Sequence, residues 1–329
     1  MMVLAEQGAA EEMGTEAMNI GERITVQESE AGRRIDTFLA ERTGITRSQI
    51  RKLLERSGVL LNGRAAGRNY RVRAGDRIAF QAPREEAGEL TPEPIPLEIV
   101  HRDGYVVVVN KPAGMVVYPA AGHQHGTVMN ALAHYCPVLA SVGAPLRPGV
   151  VHRLDKDTSG VMVVATEDAA YYDLVEQFRG RTIKRRYVAL VYGNMNTDTG
   201  EIVLPIGRSE SDRKKMSTRV RRGKEAVTRW RVLERFGGAT LLEVRLGTGR
   251  THQIRVHLSS IGHPVLGDKT YGRKTELEIG KKRIAVPRQM LHAEILGFRH
   301  PATGEYMEFS SPLPEDMKGV LELLSAAPI

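Results

Sequence analysis

The sequence predicts an α+β fold in two parts, a small α+β module ahead of a larger, sheet-rich domain. Three observations predict it. The chain has 329 residues, enough for one large domain and a small one. A Pro- and Glu-rich stretch over residues 83–95 has little apolar periodicity and reads as a linker. Beyond it, over residues 96–329, short apolar runs bounded by turn residues outnumber helical patterns.

Bulk composition narrows the function classes. Apolar residues make up 41% of the chain, so a real core is available. The one cysteine, Cys136, excludes a disulfide framework and a multi-cysteine zinc site, and suits a reducing cytoplasm. No apolar run approaches the roughly 18 residues needed to cross a bilayer. The opening MMVLAEQGAAEEMG lacks the basic and apolar regions of a signal peptide, so a cytoplasmic protein without membrane contact is expected. Net charge is +8, unevenly spread. Residues 1–21 carry four acids and no base and read as a disordered acidic tail. Residues 22–82 carry 13 Lys/Arg against seven Asp/Glu, a balance that fits a polyanion such as RNA.

Within 22–82 the clearest element is a helix over Thr46–Ser57. Thr46 precedes Gln49 by three residues, a capping-box pattern. Ile50, Leu53 and Leu54 form its apolar stripe, and Gly58 is expected to stop it. Arg47 and Arg51 lie one turn apart on another face, as do Lys52 and Arg56. Val59–Arg64 reads as strand, Asn-Gly turn, strand. A last strand is expected over Arg77–Phe80. In the larger domain, Tyr105–Asn110 and Met115–Tyr118 are strand candidates around a Lys111-Pro-Ala-Gly turn. Val161–Thr166, Tyr187–Tyr192, Thr228–Leu233 and Thr240–Leu246 are further strands. Ala169–Phe178 and Thr251–Ile261 read as helices. In the second, Ile254, Leu258 and Ile261 form the buried stripe, which turns Arg255 to another face.

The chemistry gathers in three segments. His152-Arg-Leu-Asp-Lys-Asp-Thr-Ser-Gly160 holds two carboxylates, two cations and two hydroxyls just ahead of an apolar strand. Gly247-Thr-Gly-Arg-Thr-His-Gln-Ile-Arg-Val-His257 collects glycines, arginines and histidines at a strand-to-helix junction. Lys184-Arg-Arg-Tyr187 puts a tyrosine behind a basic cluster. Any one of these reads equally as a charged turn. Together they suggest a polar pocket with a carboxylate, a phenol and an arginine. Glycine-rich phosphate loops, dinucleotide fingerprints and His-Glu-x-x-His are missing from the sequence, so no cofactor and no nucleotide are expected. His123 and His125 form an H-x-H pair with no obvious third ligand, and no metal site is expected.

HRLDKDTSG resembles the signature of the RluA/RluD family of RNA pseudouridine synthases. Asn110-Lys-Pro-Ala-Gly-Met, Lys184-Arg-Arg-Tyr-Val-Ala, GRTHQIRVH, His263-Pro-Val-Leu-Gly-Asp and Leu291-His-Ala also resemble family blocks, in family order over roughly residues 96–310. Tyr118-Pro119 departs from the family's usual His-Pro. Residues 22–82 resemble a small RNA-binding motif, the αL motif of a small-subunit ribosomal protein. The resemblance implies a mixed, mainly antiparallel central sheet flanked by helices and loops. It implies an isomerase that detaches uracil from C1′ and rejoins it through C5, with no cofactor. It makes Asp155 the catalytic carboxylate, Arg255 its cationic partner and Tyr187 the active-site tyrosine. Arg153 would fill the space left by the flipped base, and Leu291 would cover the base.

Arg34, Arg47, Arg51 and Lys52 are the expected RNA contacts of the module, and Lys214 and Lys215 those of a basic arm that runs on through Arg219–Arg222. His152 and Asp157 are read as structural. The RluD-like match points to large-subunit ribosomal RNA in pre-ribosomal particles as partner, and to ribosome biogenesis, with a monomeric enzyme. A non-catalytic RNA-binding or assembly protein on the same fold is the other reading; it would be expected to lack Asp155, Tyr187 or Arg255, and none is lacking. A nucleoside hydrolase would not need the basic module.

Overall fold

The computed structural model of the chain describes residues 22–43, 45, 47–80, 89–120, 122–212, 215–279 and 282–326. The acidic segment 1–21, Thr46 with its capping box, and Lys214 lie outside the described residues. The chain divides into two compact units, Met1–Ala87 and Gly88–Ile329.

The first unit contains β1 (Glu22–Thr25), α1 (Ile35–Thr43), α2 (Arg47–Glu55), β2 (Val59–Leu61), β3 (Arg64–Ala65) and β4 (Arg77–Phe80). Its antiparallel sheet runs in the order β1-β4-β2-β3. Ile35, Phe38 and Leu39 of α1 and Ile50 and Leu54 of α2 are buried in one cluster with Val59, Ile78 and Phe80. The apolar spacing therefore builds the core. Asn62 and Gly63 have φ of +50° and +82°, the left-handed pair that a two-residue hairpin requires. At the end of α2 the left-handed residue is Ser57 (φ +56°) rather than the expected Gly58. Gly58 instead donates its N–H to the Leu53 carbonyl at 2.8 Å, closing the helix.

The second unit contains β5 (Glu98–Arg102), β6 (Val106–Lys111), α3 (Val128–Tyr135), β7 (Ser159–Ala165), α4 (Asp168–Arg179), β8 (Lys184–Tyr192) and β9 (Thr199–Val203). It continues through β10 (Gly207–Arg208), β11 (Met216–Ser217), β12 (Val227–Phe236), β13 (Ala239–Leu246), α5 (Gln253–Ser260), β14 (Glu276–Ile279) and β15 (Lys282–Ala285). Last come β16 (Leu291–Arg299), β17 (Tyr306–Ser310) and α6 (Glu315–Ser325). The large sheet runs β5-β6-β7-β16-β8-β13-β12-β9, with β17 also on β16. β16 runs parallel to β7, and the other pairs are antiparallel. The fold is thus α+β with a mixed, mainly antiparallel sheet. Among the described residues no helix is long and apolar enough to cross a membrane.

Both faces of the sheet are covered, which explains the unbroken valine run of β6. Val107 and Val109 join the cluster containing Leu154, Tyr187, Ile254 and Leu291, whereas Val106 and Val108 pack with Ala170 and Leu174 of α4. Three sequence expectations change. Met115–Tyr118 is not a strand, because the carbonyls of Val116 and Val117 accept from Val128 and Met129 N–H at 3.0 Å each. They serve the first turn of α3, a helix without a strong sequence signal, whose cap is a reciprocal Thr127–Asn130 box. Ile261 is partly exposed at 36% and leaves the stripe of α5, while Arg255 is buried beside it at 6%. Residues Thr91 and Glu93, expected in the linker, are fastened to α3: Glu93 N–H donates to the Asn130 carbonyl and Asn130 Nδ2 to the Thr91 carbonyl.

Gly160 shows how closely β7 and β16 approach. Its φ is +119°, and a β-carbon there would overlap the Ala293 carbonyl. Gly160→Ala is expected to cost about 3 kcal/mol or more in urea unfolding, through backbone strain and lost strand pairing. Asp36 in α1 sets a second constraint. Burial acts to raise its pKa, but hydrogen bonds from Arg34, Arg47 and Arg51 outweigh it and hold the carboxyl well below the usual carboxylate range. A folded value below the unfolded one, about 3.9, contributes stability above that pH and loses it as the pH falls through the carboxylate range. Asp36→Asn should therefore weaken the first unit by about 1–2 kcal/mol at pH 7, the half-exposed arginines being screened. Hydrogen exchange over residues 22–80 should show this deficit shrinking at pH 3.

Candidate active site

The segment His152–Gly160 runs into β7 and is fastened almost residue by residue. His152 accepts the Val163 N–H on Nε2 at 3.1 Å and lies against Phe178, ring centres 4.7 Å apart. Burial lowers its pKa to about 3, so it is a neutral, structural histidine. Lys111, fully buried, donates to the carbonyls of Pro112, Met115 and Lys156 at 2.8, 2.8 and 3.0 Å. Arg288 donates from Nη1 to the Asp157 carbonyl at 3.0 Å and pairs with Asp316 at 2.6 Å. Gln289 reaches Thr158 Oγ1 at 2.8 Å, and Ser159 Oγ lies 2.9 Å from His292 Nδ1. Thr158 N–H closes the turn onto the Asp155 carbonyl at 3.1 Å. Buried polar groups without partners are costly, so a loop tied this densely has little freedom to move.

This scaffold presents Asp155. Its Oδ2 accepts from Arg255 Nη1 at 2.8 Å. Arg255 itself is clamped by Asp268, Nε to Oδ2 at 2.7 Å and Nη2 to Oδ1 at 3.0 Å. Asp268 is fully buried and also accepts the N–H groups of Thr270 and Tyr271 at 2.9 and 3.0 Å. Burial acts to lower the Arg255 pKa, but Asp268 and then Asp155 more than reverse it, so the guanidinium stays charged. A fixed cation beside a carboxylate holds that carboxylate in one orientation. Asp268 ends the His263-Pro-Val-Leu-Gly-Asp block, and a lone Asp after Gly carries no sequence signal of its partner.

Asp155, Arg255, Tyr187, Leu291 and Arg153 all line one cavity of about 440 Å³. Tyr187 is 8% exposed; burial pushes its phenol up, Arg185 pulls it back, and Asp155 adds to the rise. Among the described residues lining the cavity, Asp155 is the only carboxylate. The paired carboxylates of a glycoside hydrolase are therefore not assembled there. His252, with φ +55°, puts Nε2 at 3.9 Å from Asp155 Oδ1 and Nδ1 at 2.8 Å from the Tyr271 hydroxyl. Arg153 is exposed; its Nη1 donates to the Tyr118 hydroxyl at 3.1 Å and its guanidinium lies 5.5 Å from that ring. The Tyr118 departure thus touches the site. Elsewhere in the unit His125 is engaged by Glu93 at 2.9 Å.

In the first unit Arg34, Arg47 and Arg51 converge on Asp36 at 3.0, 3.0 and 3.1 Å. Their side chains stay 37%, 48% and 54% exposed, and Arg34 Nη2 also donates to the Arg68 carbonyl and to Asn69 Oδ1 at 3.4 and 3.2 Å. Lys52 is exposed on α2. In the second unit Lys215 precedes β11 and pairs with Asp212 at 3.7 Å.

The sequence pattern of the RNA pseudouridylate synthase family matches residues 105–260, and that of the S4 domain matches residues 33–78. An uncharacterized RNA pseudouridine synthase of Bacillus subtilis is 46% identical over 302 residues, spanning 92% of this chain and 97% of its own. Ribosomal large subunit pseudouridine synthase D of Pseudomonas aeruginosa is 48% identical over 77% of this chain and 79% of its own. The enzyme of that name in Escherichia coli is 42% identical over 92% and 94%. The solved human RNA pseudouridylate synthase domain containing 1 superposes with a TM-score of 0.53 at 28% identity, covering 71% of this chain and 96% of its own. The chain belongs to the RNA pseudouridine synthase family and is an isomerase of that family carrying an S4 domain ahead of its catalytic unit.

Proposed function

We propose that the chain isomerises specific uridines of large-subunit ribosomal RNA, in the cytoplasm, as a monomer acting on pre-ribosomal particles, with Asp155 as the catalytic carboxylate. The observation that carries the assignment of Asp155 is its position as the only carboxylate among the described residues of the cavity, held by an arginine that is itself clamped by Asp268. The ribosomal target is supported by relatives named for the large subunit. Exposed arginines organised on Asp36 favour a first unit that grips RNA phosphates and positions the substrate.

The base has to leave its stack to reach the cavity, at a cost of a few kcal/mol. Arg153, exposed at the cavity mouth and braced by Tyr118, fills the gap. Uracil then lies between Tyr187 and Leu291. Asp155 either attacks C1′ or removes a ribose proton to give a glycal; both need an ionised carboxylate and both release uracil from N1. After rotation C5 bonds to C1′ as the Asp155–C1′ bond breaks or the ribose proton returns. The C5 proton passes to the Tyr187 oxygen as that hydroxyl gives up its own proton, and N1 ends with the hydrogen that C5 loses. No redox change accompanies these steps.

Pseudouridine should be mapped at nucleotide resolution in ribosomal RNA from cells with the gene intact, deleted, or carrying Asp155→Asn. Sites lost in both altered strains are expected. Sites lost on deletion and kept with Asp155→Asn would remove Asp155 from the chemistry. Tyr187→Phe should slow single-turnover conversion by about 10²–10⁴-fold while leaving RNA affinity unchanged, the range of a lost proton-transfer group. Unchanged turnover would limit Tyr187 to stacking.

A further inference from the structure

We propose that Arg185 forms a subsite for a phosphate adjoining the target uridine, so that the cavity recognises a nucleotide rather than a nucleoside. The inference rests on the reading of this cavity as a uridine site. Arg185 and Tyr187 are two residues apart on β8 and line the same cavity, while Arg186 between them points to the other face and pairs with Glu294 at 2.8 Å. The Arg185 guanidinium is wedged in place. Its carbon lies 5.6 Å from the Phe178 ring centre, and a β-carbon on Gly249 would come within 2.8 Å of its Nη1.

What the guanidinium lacks is an anion. Its Nε is buried with no hydrogen-bond partner, and no carboxylate among the described residues pairs with it. Burial accordingly pulls it below its ordinary pKa. Two more deeply buried arginines of this region are saturated, Arg255 by Asp155 and Asp268, Arg288 by Asp316 and backbone carbonyls. A half-buried charge whose Nε has no partner is costly, and the cost is removed when a ligand brings one. A uracil carbonyl would accept a hydrogen bond but leave the charge uncompensated. A phosphate matches both the charge and the forked geometry. RNA carries a phosphodiester on either side of the flipped ribose, and Arg250 and Arg179, the latter paired with Glu176 at 3.3 Å, also line the cavity.

The test measures binding of uridine, uridine 5′-monophosphate and uridine 3′-monophosphate to the full-length protein, by calorimetry or NMR. The wild type should bind one monophosphate about tenfold or more tighter than uridine, the scale of a charge-assisted hydrogen bond. Arg185→Gln should erase that preference while keeping uridine affinity, and Arg185→Lys should keep part of it. Arg185→Gln should melt no lower than the wild type, since it removes an unpaired charge. Equal weakening of all three ligands would make Arg185 a uracil contact and overturn the proposal. So would an intact phosphate preference in Arg185→Gln, or a variant whose only change is the pH profile of turnover, which would assign Arg185 to tuning Tyr187. A wild type that binds none of the three ligands overturns the uridine reading together with the phosphate contact. Uridine bound as tightly as both monophosphates overturns the phosphate contact alone.

Discussion

The bidentate grip of Asp268 on Arg255 is the interaction on which the site depends. One acid, fully buried and fed by two backbone N–H groups, fixes an arginine on α5. The arginine has one nitrogen left for Asp155. Two carboxylates therefore share one guanidinium unequally. The buried one takes two of its hydrogen bonds, and the one in the cavity takes a single bond and keeps an oxygen free. Without the first, the cation would be a flexible side chain, and the cavity carboxylate would lose the partner that fixes its orientation.

The remainder of the catalytic unit serves to bring that pair together across 100 positions of sequence. Parallel pairing of β16 with β7 carries Leu291, Arg288 and Gln289 to the segment that bears Asp155. It requires glycine at position 160, where backbone approaches backbone. Lys111, at the end of β6, reaches the same segment from the other side through the Lys156 carbonyl. Burial pulls the Lys111 ammonium down to about 7, against Asp157 and Asp155. Three carbonyl acceptors call for the ammonium form, which alone has three N–H donors.

Much of this was legible in the sequence, and the gaps have physical causes. The strands β6, β7, β8, β12 and β13 were readable because covered strands are apolar runs ended by turn residues. The cavity residues Asp155, Tyr187 and Arg255 were readable as a group only through the resemblance of whole blocks, since they lie far apart in sequence and line one cavity only in the fold. Residues that act on a neighbour rather than on substrate stayed hidden. Asp268, Lys111 and Tyr118 look ordinary in sequence, and their importance lies in what each one holds. The helix α3 was missed because its N-terminal donors use two carbonyls from a stretch that reads as a strand. In the first unit, Asp36 is one acid among seven in the sequence of residues 22–82, although it organises three of the arginines expected to meet RNA.

A double-mutant cycle on single-turnover pseudouridine formation tests directly whether Asp268 acts through Arg255. Rates would be compared for the wild type, Asp268→Asn, Arg255→Gln and the double variant, on ribosomal RNA from cells lacking the gene, each protein first shown to be folded. If Asp268 only holds the arginine, its loss is expected to slow the wild type and to have no further effect once Arg255 is gone. Additive losses would mean that Asp268 reaches the reaction by another route and would contradict the central claim.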